Sequence, residues 1–485
     1  MKERALNFDI SENTIIVGTG LGIGEETKGS TVEWLSKEFN AHTVLRSGGS
    51  QAGHHVMTED GREQMFSHFG CGTFDGTKTY LKNMVIEPVD LFTEAIEIEE
   101  KGVKNPFDLI TIDKNCLVTT PFHRATSKVR EILRGNDKKG TVGKGVGEAI
   151  RDSKNPELTI RAGDFFDDEI NLINKLETIR KYKLEQVMEI LKNVQPEDIP
   201  ERFYLEMETL YDKDLVNVTA ESYKYIADLV KITDEKYFEE LLAKKGVIVC
   251  EASHGALLHP WYGFVPHVTQ IDPTAQDVLK DIKEKDSSKN IVRLGISRCY
   301  MTRHGAGPMV SYSEEMTRSI NETHNSAGSE WLGEFRNGHY DIVAMKYAVE
   351  ISGGKQSFDG LSISYLDVLS NFNEWQICEA YSYEGKETKL EDCFEIEDGL
   401  ITGIKVCQNT RDESHYNHQL KLTRLLKECK PVLNTIRATE NENLEEVFLS
   451  YVEEKIEIPV VMVARGPIAK DRQLRSGKNT LLKNN

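Results

Sequence analysis

Ile15-Ile16-Val17-Gly18-Thr19-Gly20-Leu21-Gly22-Ile23-Gly24-Glu25-Glu26-Thr27-Lys28-Gly29-Ser30 starts as a β-branched run, passes through four alternating glycines and leads into an amphipathic segment from Thr31 onward. A strand feeding a glycine turn and then a helix leaves backbone amides free at the helix N-terminus, a ready site for phosphate. Nucleotide phosphate is the leading ligand. The spacing excludes the two commonest glycine loops. A Walker A loop needs Gly-x4-Gly-Lys-Ser/Thr, and here Lys28 precedes Gly29; a dinucleotide fingerprint anchored on Gly18 and Gly20 needs a glycine where Ile23 stands. A second glycine-rich run, Arg46-Ser47-Gly48-Gly49-Ser50-Gln51-Ala52-Gly53-His54-His55, follows the next apolar segment.

Outward from these loops, apolar runs suited to buried strands recur at 14–19, 42–46, 108–112, 246–251, 294–301, 361–366 and 458–464, with amphipathic segments between them. That alternation predicts an α/β fold: a large, mainly parallel central sheet with flanking helices. From about 165 to 245 the pattern changes to long charged helices with apolar residues three and four apart, read as a helical excursion on the same domain. No repeat, low-complexity tract or Pro/Gly/Ser linker marks a boundary.

With 39% hydrophobic residues among 485, the chain has material for a large core. A formal charge of −19 argues against a general nucleic-acid binder, so an anionic ligand must be held by local groups. The one basic stretch, with Lys470, Arg472, Arg475, Lys478 and Lys483 against Asp471, reads as a solvated tail. Eight cysteines lack any C-x-x-C pair, so neither a zinc ribbon nor a redox motif is indicated. There is no apolar leader and no run of about eighteen apolar residues to span a membrane. The expectation is a soluble, cytoplasmic protein with reduced thiols, no membrane partner and no nucleic-acid partner.

Six blocks then occur in order: 24–30, Gln51-Ala52-Gly53-His54, Gly140-Thr141-Val142-Gly143-Lys144-Gly145-Val146-Gly147, Glu251-Ala252-Ser253-His254-Gly255, Thr302-Arg303-His304-Gly305-Ala306-Gly307-Pro308 and Leu366-Asp367-Val368-Leu369. This series resembles the adenylosuccinate synthetase family over nearly the whole chain, as a divergent paralogue. The resemblance implies a P-loop-related fold in one domain, 1–485, and a homodimer. It also implies a ligase in which GTP phosphorylates the 6-oxo group of an IMP-like purine nucleotide and an amino acid's nitrogen displaces that phosphate. Such a reaction needs a metal, Mg2+, cationic groups and a base.

Carried over residue by residue, the resemblance makes Glu25 the base and metal ligand, Gly53 a backbone metal ligand, Lys28 a phosphate clamp and His54 a general acid. Gly24, Glu26, Thr27, Gly29, Ser30 and His55 belong to the triphosphate site, and Asp367 and Gly466 to its base. Gln51, Ala52, Thr141, Val142, His254 and Thr269 fall at nucleotide-substrate positions, and Arg303 and Arg336 on the amino-acid side.

Several positions depart from the family. Its aspartate is Glu25, its Lys-Leu-Asp triplet is Tyr365-Leu366-Asp367, a loop arginine is Lys144, and a threonine-rich, arginine-rich loop is Ala327-Gly328-Ser329-Glu330-Trp331-Leu332-Gly333-Glu334-Phe335-Arg336-Asn337-Gly338. The arginine that a neighbouring subunit lends has no clear counterpart near Glu157, with Lys154 and Arg161 as substitutes. Aspartate's two carboxylates call for paired cationic donors, and this loop keeps one arginine. Retained Asp367 favours guanine, while the missing lysine leaves ATP open. Two alternatives stand beside the main reading: a same-fold ligase for a modified purine of the 2-aminoadenine type or for another amine, and a nucleotide-binding regulatory protein whose catalysis has decayed.

Overall fold

The opening run forms β1 (Thr14–Gly20), buried along its whole length. Its β-branched residues suit a strand covered on both faces, where helices flank a parallel sheet. The computed structural model describes Ile10 and residues 13–135, 139–324, 331, 333–407, 410–440 and 442–475. β1 pairs in parallel with Ile248–Gly255 on one side and Asn290–Arg298 on the other. The full sheet has eleven strands. Across it run Arg472–Leu474, Val460–Ala464, Gly360–Ser364, Asn290–Arg298, β1, Ile248–Gly255, β2 (Thr43–Gly49), a long strand at Lys78–Ile86, Ile110–Asp113 and Lys231–Thr233, with Leu117–Val118 beside the long strand. Only Val460–Ala464 with Arg472–Leu474 is antiparallel within it.

Each of the seven expected strands is present, with shifted ends. The 294–301 run stops at Arg298, and Met301–His304 leaves the sheet to pair antiparallel with Phe335–Gly338. The helix after the glycine loop, α1 (Lys28–Glu38), begins three residues before Thr31, because Thr27 takes a left-handed conformation (φ 63°) that turns the chain into it. Gly29 is required at that start. A Cβ there would land on the His55 carbonyl, on the edge of the β3 (His54–Met57) and β4 (Glu63–Phe66) hairpin.

The excursion consists of helices Glu169–Leu191, Glu201–Tyr211, Asp214–Leu229 and Glu235–Ala243, between which Lys231–Thr233 returns to the sheet edge. Leu172, Leu176, Ile179, Phe203, Met207 and Tyr223 are buried in the same core as β1 and β2. Each such side chain contributes about 1.5–3 kcal/mol of burial. Lys183, fully buried in the first of these helices, reaches Glu148 at 2.9 Å and Asp152 at 2.6 Å and so ties the excursion to the Val146–Asp152 helix. A second, five-stranded sheet of Tyr340–Asp341, Glu374–Tyr383, Phe394–Glu397, Leu400–Ile404 and Cys429–Arg437 was not foreseen from the sequence. Among the described residues no helix is long and apolar enough to cross a membrane.

Candidate functional site

Six adjacent strands of the central sheet send the chain out at their C-terminal ends toward one side, where α/β sheets hold their ligands. β1 delivers residues 24–30, β2 delivers 51–54, Ile248–Gly255 delivers His254, Asn290–Arg298 delivers Arg298 and the 301–304 hairpin, Gly360–Ser364 delivers Tyr365, and Val460–Ala464 delivers Gly466. They line one cavity of about 1060 Å3. The 139–147 segment and Arg130, Arg134 and Arg151 close its far wall. Each of these arginines is ion-paired, Arg130 and Arg151 with Glu148 and Arg134 with Glu131, two acids that line the same cavity.

At the mouth of α1, Glu26 is buried. Its Oε1 accepts the Gly22 and Gly24 amides at 3.1 and 2.6 Å, and its Oε2 accepts Lys28 Nζ at 2.5 Å. Burial alone would raise the Glu26 carboxyl, but the Lys28 charge and the hydrogen bonds hold it below its ordinary value. Glu26 therefore shapes the glycine loop and orients Lys28. Behind α1, the buried Arg472 donates to Ser30 Oγ at 2.9 Å.

Beside it lies a second buried group. Glu251 Oε1 accepts from Arg46 and lies 2.5 Å from His54 Nδ1 and 3.0 Å from the Cys71 thiol, while Oε2 accepts the Cys71 amide at 3.0 Å. Despite burial, the Arg46 charge and these donors hold Glu251 down at about 2. An ionised Glu251 only accepts, so His54 carries its hydrogen on Nδ1. Burial keeps the imidazole below its ordinary value, and Nε2 is buried without a hydrogen-bond partner. At rest His54 is thus a neutral acceptor at the cavity wall, and acting as an acid requires it to take up a proton when an anion arrives. His55, next along β3, is half exposed where its neighbour is buried, and it lines the cavity paired with Glu63 at 2.5 Å.

His254 stands in a left-handed turn (φ 60°), and its imidazole is pushed down to about 3 by burial and by Lys28. Gln51 lines the cavity with its Oε1 buried and unpartnered. Thr141 Oγ1 accepts the Gly143 amide at 3.2 Å, and Lys144 donates to Asp90. Glu25 has a positive φ of 66° and a half-exposed carboxylate, 3.6 Å from His304 Nε2 and 3.8 Å from an Arg298 nitrogen.

On the opposite rim, Arg303 and Arg336 face each other across the Met301–His304/Phe335–Gly338 ladder. Arg303 donates to the carbonyls of Ala306, Pro308 and His267 at 2.9, 3.1 and 3.2 Å. Arg336 donates to those of Gly305 and Gly307 at 2.5 and 2.9 Å. Burial and the facing Arg336 lower Arg303 to about 9.

The cavity gathers every expected site residue except two: Arg336 and Asp367 are not among its lining. Asp367 is exposed in the short helical turn Leu366–Asn371. Ala327 to Glu330 and Leu332 lie outside the described residues, as do Lys478 and Lys483 of the basic tail. Glu251, Arg46 and Arg298 were not singled out from the sequence. The signal was there for the first two: a charge inside Ile248-Val249-Cys250-Glu251-Ala252 or Val44-Leu45-Arg46 must be paired to be buried.

Comparison with known proteins gives one consistent answer. The adenylosuccinate synthetase family model matches residues 15–473. The adenylosuccinate synthetase of Shewanella halifaxensis is 30% identical over 473 residues, covering 94% of this chain and 97% of that protein; that of Chlorobium phaeovibrioides is 25% identical, covering 96% and 98%. Among solved structures, the fully ligated adenylosuccinate synthetase of Plasmodium falciparum superposes with a TM-score of 0.72 at 19% identity, covering 96% of this chain and 100% of that one. The succinoaminodeoxyadenylate synthetase of cyanophage S-2L, bound to dGMP and to dATP as energy donor, gives 0.57 at 14% identity, covering 96% of each chain.

Proposed function

Because the chain belongs to the adenylosuccinate synthetase family, we propose that it is a C–N bond-forming ligase. It uses GTP, with ATP as the competing donor, to activate the 6-oxo group of an IMP-like purine nucleotide for attack by aspartate or another amine. The observation that carries this reading is the convergence, in one cavity, of the α1 N-terminus with Lys28 and of a histidine whose tautomer is set by Glu251. Amides and ammonium stabilise the transferring phosphoryl oxygens. In the first step the ring oxygen attacks the γ-phosphorus and the nucleoside diphosphate leaves; in the second the amine nitrogen attacks C6 and phosphate leaves. Glu25 takes the ring proton in the first step. His54 gains a proton as the anion fills the cavity and donates it to the phosphoryl oxygens.

The residues present fit Mg2+, a hard cation that prefers oxygen. Glu25 offers a half-exposed carboxylate whose ion-pair neighbours stand at 3.6 and 3.8 Å, and Gly53 an exposed backbone position at the cavity. When bound, the cation neutralises charge on the transferring phosphate. Thr141, His254, Thr269 and Gln51 contact the acceptor nucleotide. Asp367 reads the donor base and Gly466 packs beside it.

Arg303 and Arg336, both engaged with carbonyls, favour an amine donor less negative than aspartate. Homodimer formation is supported by the excursion, where Phe166, Ile170, Tyr204, Leu205, Tyr211 and Tyr225 expose more than half of their surface. Eight free cysteines suit a reducing cytoplasm. The test is incubation with Mg2+, GTP or ATP, a panel of purine monophosphates and a panel of amines, read by mass spectrometry. A ligated product with release of one phosphate supports the proposal; no product with any combination defeats it.

A further inference from the structure

The Glu25 carboxylate faces the hairpin that carries Arg303. Four contacts join residues 24 and 25 to this region, one of them Arg298 Nη2 at 3.8 Å from Glu25 Oε2. Thr302 Oγ1 donates to the Gly24 carbonyl at 3.1 Å, Arg298 Nε donates to the Glu25 carbonyl, and His304 Nε2 faces Glu25 Oε1 at 3.6 Å. Arg298 is itself fixed. One of its nitrogens donates to Tyr300 Oη at 3.1 Å, and the guanidinium lies 4.3 Å from the Tyr365 ring centre. The two departures from the family's pattern nearest the chemistry, Glu25 and Tyr365, are therefore linked through one arginine.

His304 is oriented by packing. It ends the Met301–His304 strand opposite Phe335, whose ring meets the imidazole at 4.5 Å and 68°. Its Nδ1 is buried without a hydrogen-bond partner. Among the described residues, the ring's ion-pair partner is Glu25, and both side chains line the cavity. A glutamate has one more rotatable bond than an aspartate, so its carboxylate needs outside restraint to stay in a fixed place.

We propose that His304 is a positioning residue which, together with Arg298, holds the Glu25 carboxylate at its working place over the cavity, so that the longer acid and the histidine form a matched pair. The inference rests on the functional reading given above, since it assigns a partner to that reading's base and metal ligand. It predicts that the amine-side hairpin and the phosphate-side loop work as one unit.

The experiment compares His304→Ala, His304→Gln, Glu25→Asp and the His304→Ala/Glu25→Asp double variant. Losing a group that orients a ligating side chain typically costs about 10- to 100-fold in activity or metal affinity. His304→Ala is expected to lower kcat by about that factor while KM for the triphosphate stays within about twofold. His304→Gln, which places an amide N–H near the same point, is expected to recover most of the loss. In the double variant the two losses should fail to multiply. A purely structural role would not give this split, rescue and coupling.

A second readout needs no ligation. The gain in GTP affinity on adding Mg2+, measured by calorimetry, should shrink about tenfold in His304→Ala and return in His304→Gln, with metal-free affinity unchanged. A wild-type protein that forms no ligated product overturns the ligase reading, and this binding measurement still judges His304. The inference is overturned if His304→Ala keeps kcat and the Mg2+ gain within about twofold of wild type, or if the two single losses multiply.

Discussion

The two rims of the cavity handle buried charge in opposite ways. Around the glycine loop, cations meet acids, Lys28 with Glu26 and Arg46 with Glu251, and the neutral His54 gives its Nδ1 hydrogen to the same Glu251. On the Met301–His304/Phe335–Gly338 hairpin, two facing arginines donate to backbone carbonyls instead. Carbonyl dipoles supply no opposite charge, so burial and the facing Arg336 lower Arg303 to about 9, while the Arg46 charge and hydrogen bonds overcome burial and hold Glu251 at about 2. The first rim has its geometry set in advance and its charge balanced. The second keeps positive potential, with every side-chain nitrogen of Arg303 and Nη2 of Arg336 donating to carbonyls. Preorganised donors aimed at developing charge are what phosphoryl transfer requires, so the contrast supports the proposed division, with the chemistry on the α1 side and the recognition on the hairpin side.

The strongest way to break this contrast is Glu251→Gln. It takes the Glu251 charge away from the buried Arg46 and replaces an acceptor-only carboxylate by an amide that can also donate, so the His54 tautomer is no longer fixed; unfolding free energy should fall by about 3–5 kcal/mol and turnover should fall with it. The pH dependence follows from the sign of the shift. Glu251 is depressed from 4.5 to about 2, so its contribution is complete above 4.5 and is lost only as pH falls through about 2. Denaturant melts should show a constant deficit between pH 5 and 8. A deficit below about 1 kcal/mol would mean that the cluster is loosely held.

Next in size is His54→Asn set against His55→Asn. Removing a positioned proton donor costs about 10²- to 10⁴-fold in rate, whereas His55 is half exposed and paired with Glu63 at the surface. Phosphate release should drop by that factor in the first variant and stay within about threefold in the second. Equal losses would dissolve the distinction between the buried and exposed faces of β3.

Glu33 sharpens the contrast from within α1. It is buried, its Oε2 has no hydrogen-bond partner, and burial with the nearby Asp75 raises it to about 7. A raised acid destabilises the fold as pH climbs from its unfolded value of 4.5 through about 7. Glu33→Gln should therefore stabilise the protein at pH 8 by on the order of 2 kcal/mol, and the gain should vanish below pH 4.5. Thermal melts at the two pH values decide it, and a gain that does not depend on pH would point to packing.

Much of this was legible in the chain because buried parallel strands read as continuous apolar runs. Val460-Val461-Met462-Val463-Ala464 has no other use. The Lys78–Ile86 strand was missed for the opposite reason. Lys82 and Asn83 interrupt its apolar run, Asn83 takes a positive φ of 53°, and Lys82 is nonetheless buried against Asp113 and Glu235. In the second sheet, Glu374–Tyr383 alternates exposed and buried positions only over its first four residues before its register with Cys429–Arg437 shifts between Cys378 and Ala380, and its antiparallel partners lie far along the chain, at Leu400–Ile404 and Cys429–Arg437. Local patterns do not encode such pairings. In the site, motif order located the loops, while the contacts that tune them, Glu251 with His54 and Arg298 with Glu25, span 197 and 273 residues.

The smallest expected effect tests the hairpin directly. An incoming dicarboxylate meets Arg303 with each side-chain nitrogen already donating to a carbonyl and Arg336 with Nη2 shared between two, and Glu334 stands exposed beside Arg336. Attraction is then long-range and screened rather than bidentate, and the apparent KM for aspartate at saturating nucleotides should sit at or above ~1 mM, the upper end of the usual range. Glu334→Gln removes one like charge at the surface, worth about 0.5–1 kcal/mol, and should lower that KM by roughly two- to fivefold with kcat unchanged. The uncharged amide of asparagine, with one carboxylate fewer, should respond less to the same substitution. A micromolar KM for aspartate in the wild type would show that one of the two guanidiniums exchanges its carbonyls for the substrate, and the two rims would then differ in timing rather than in kind.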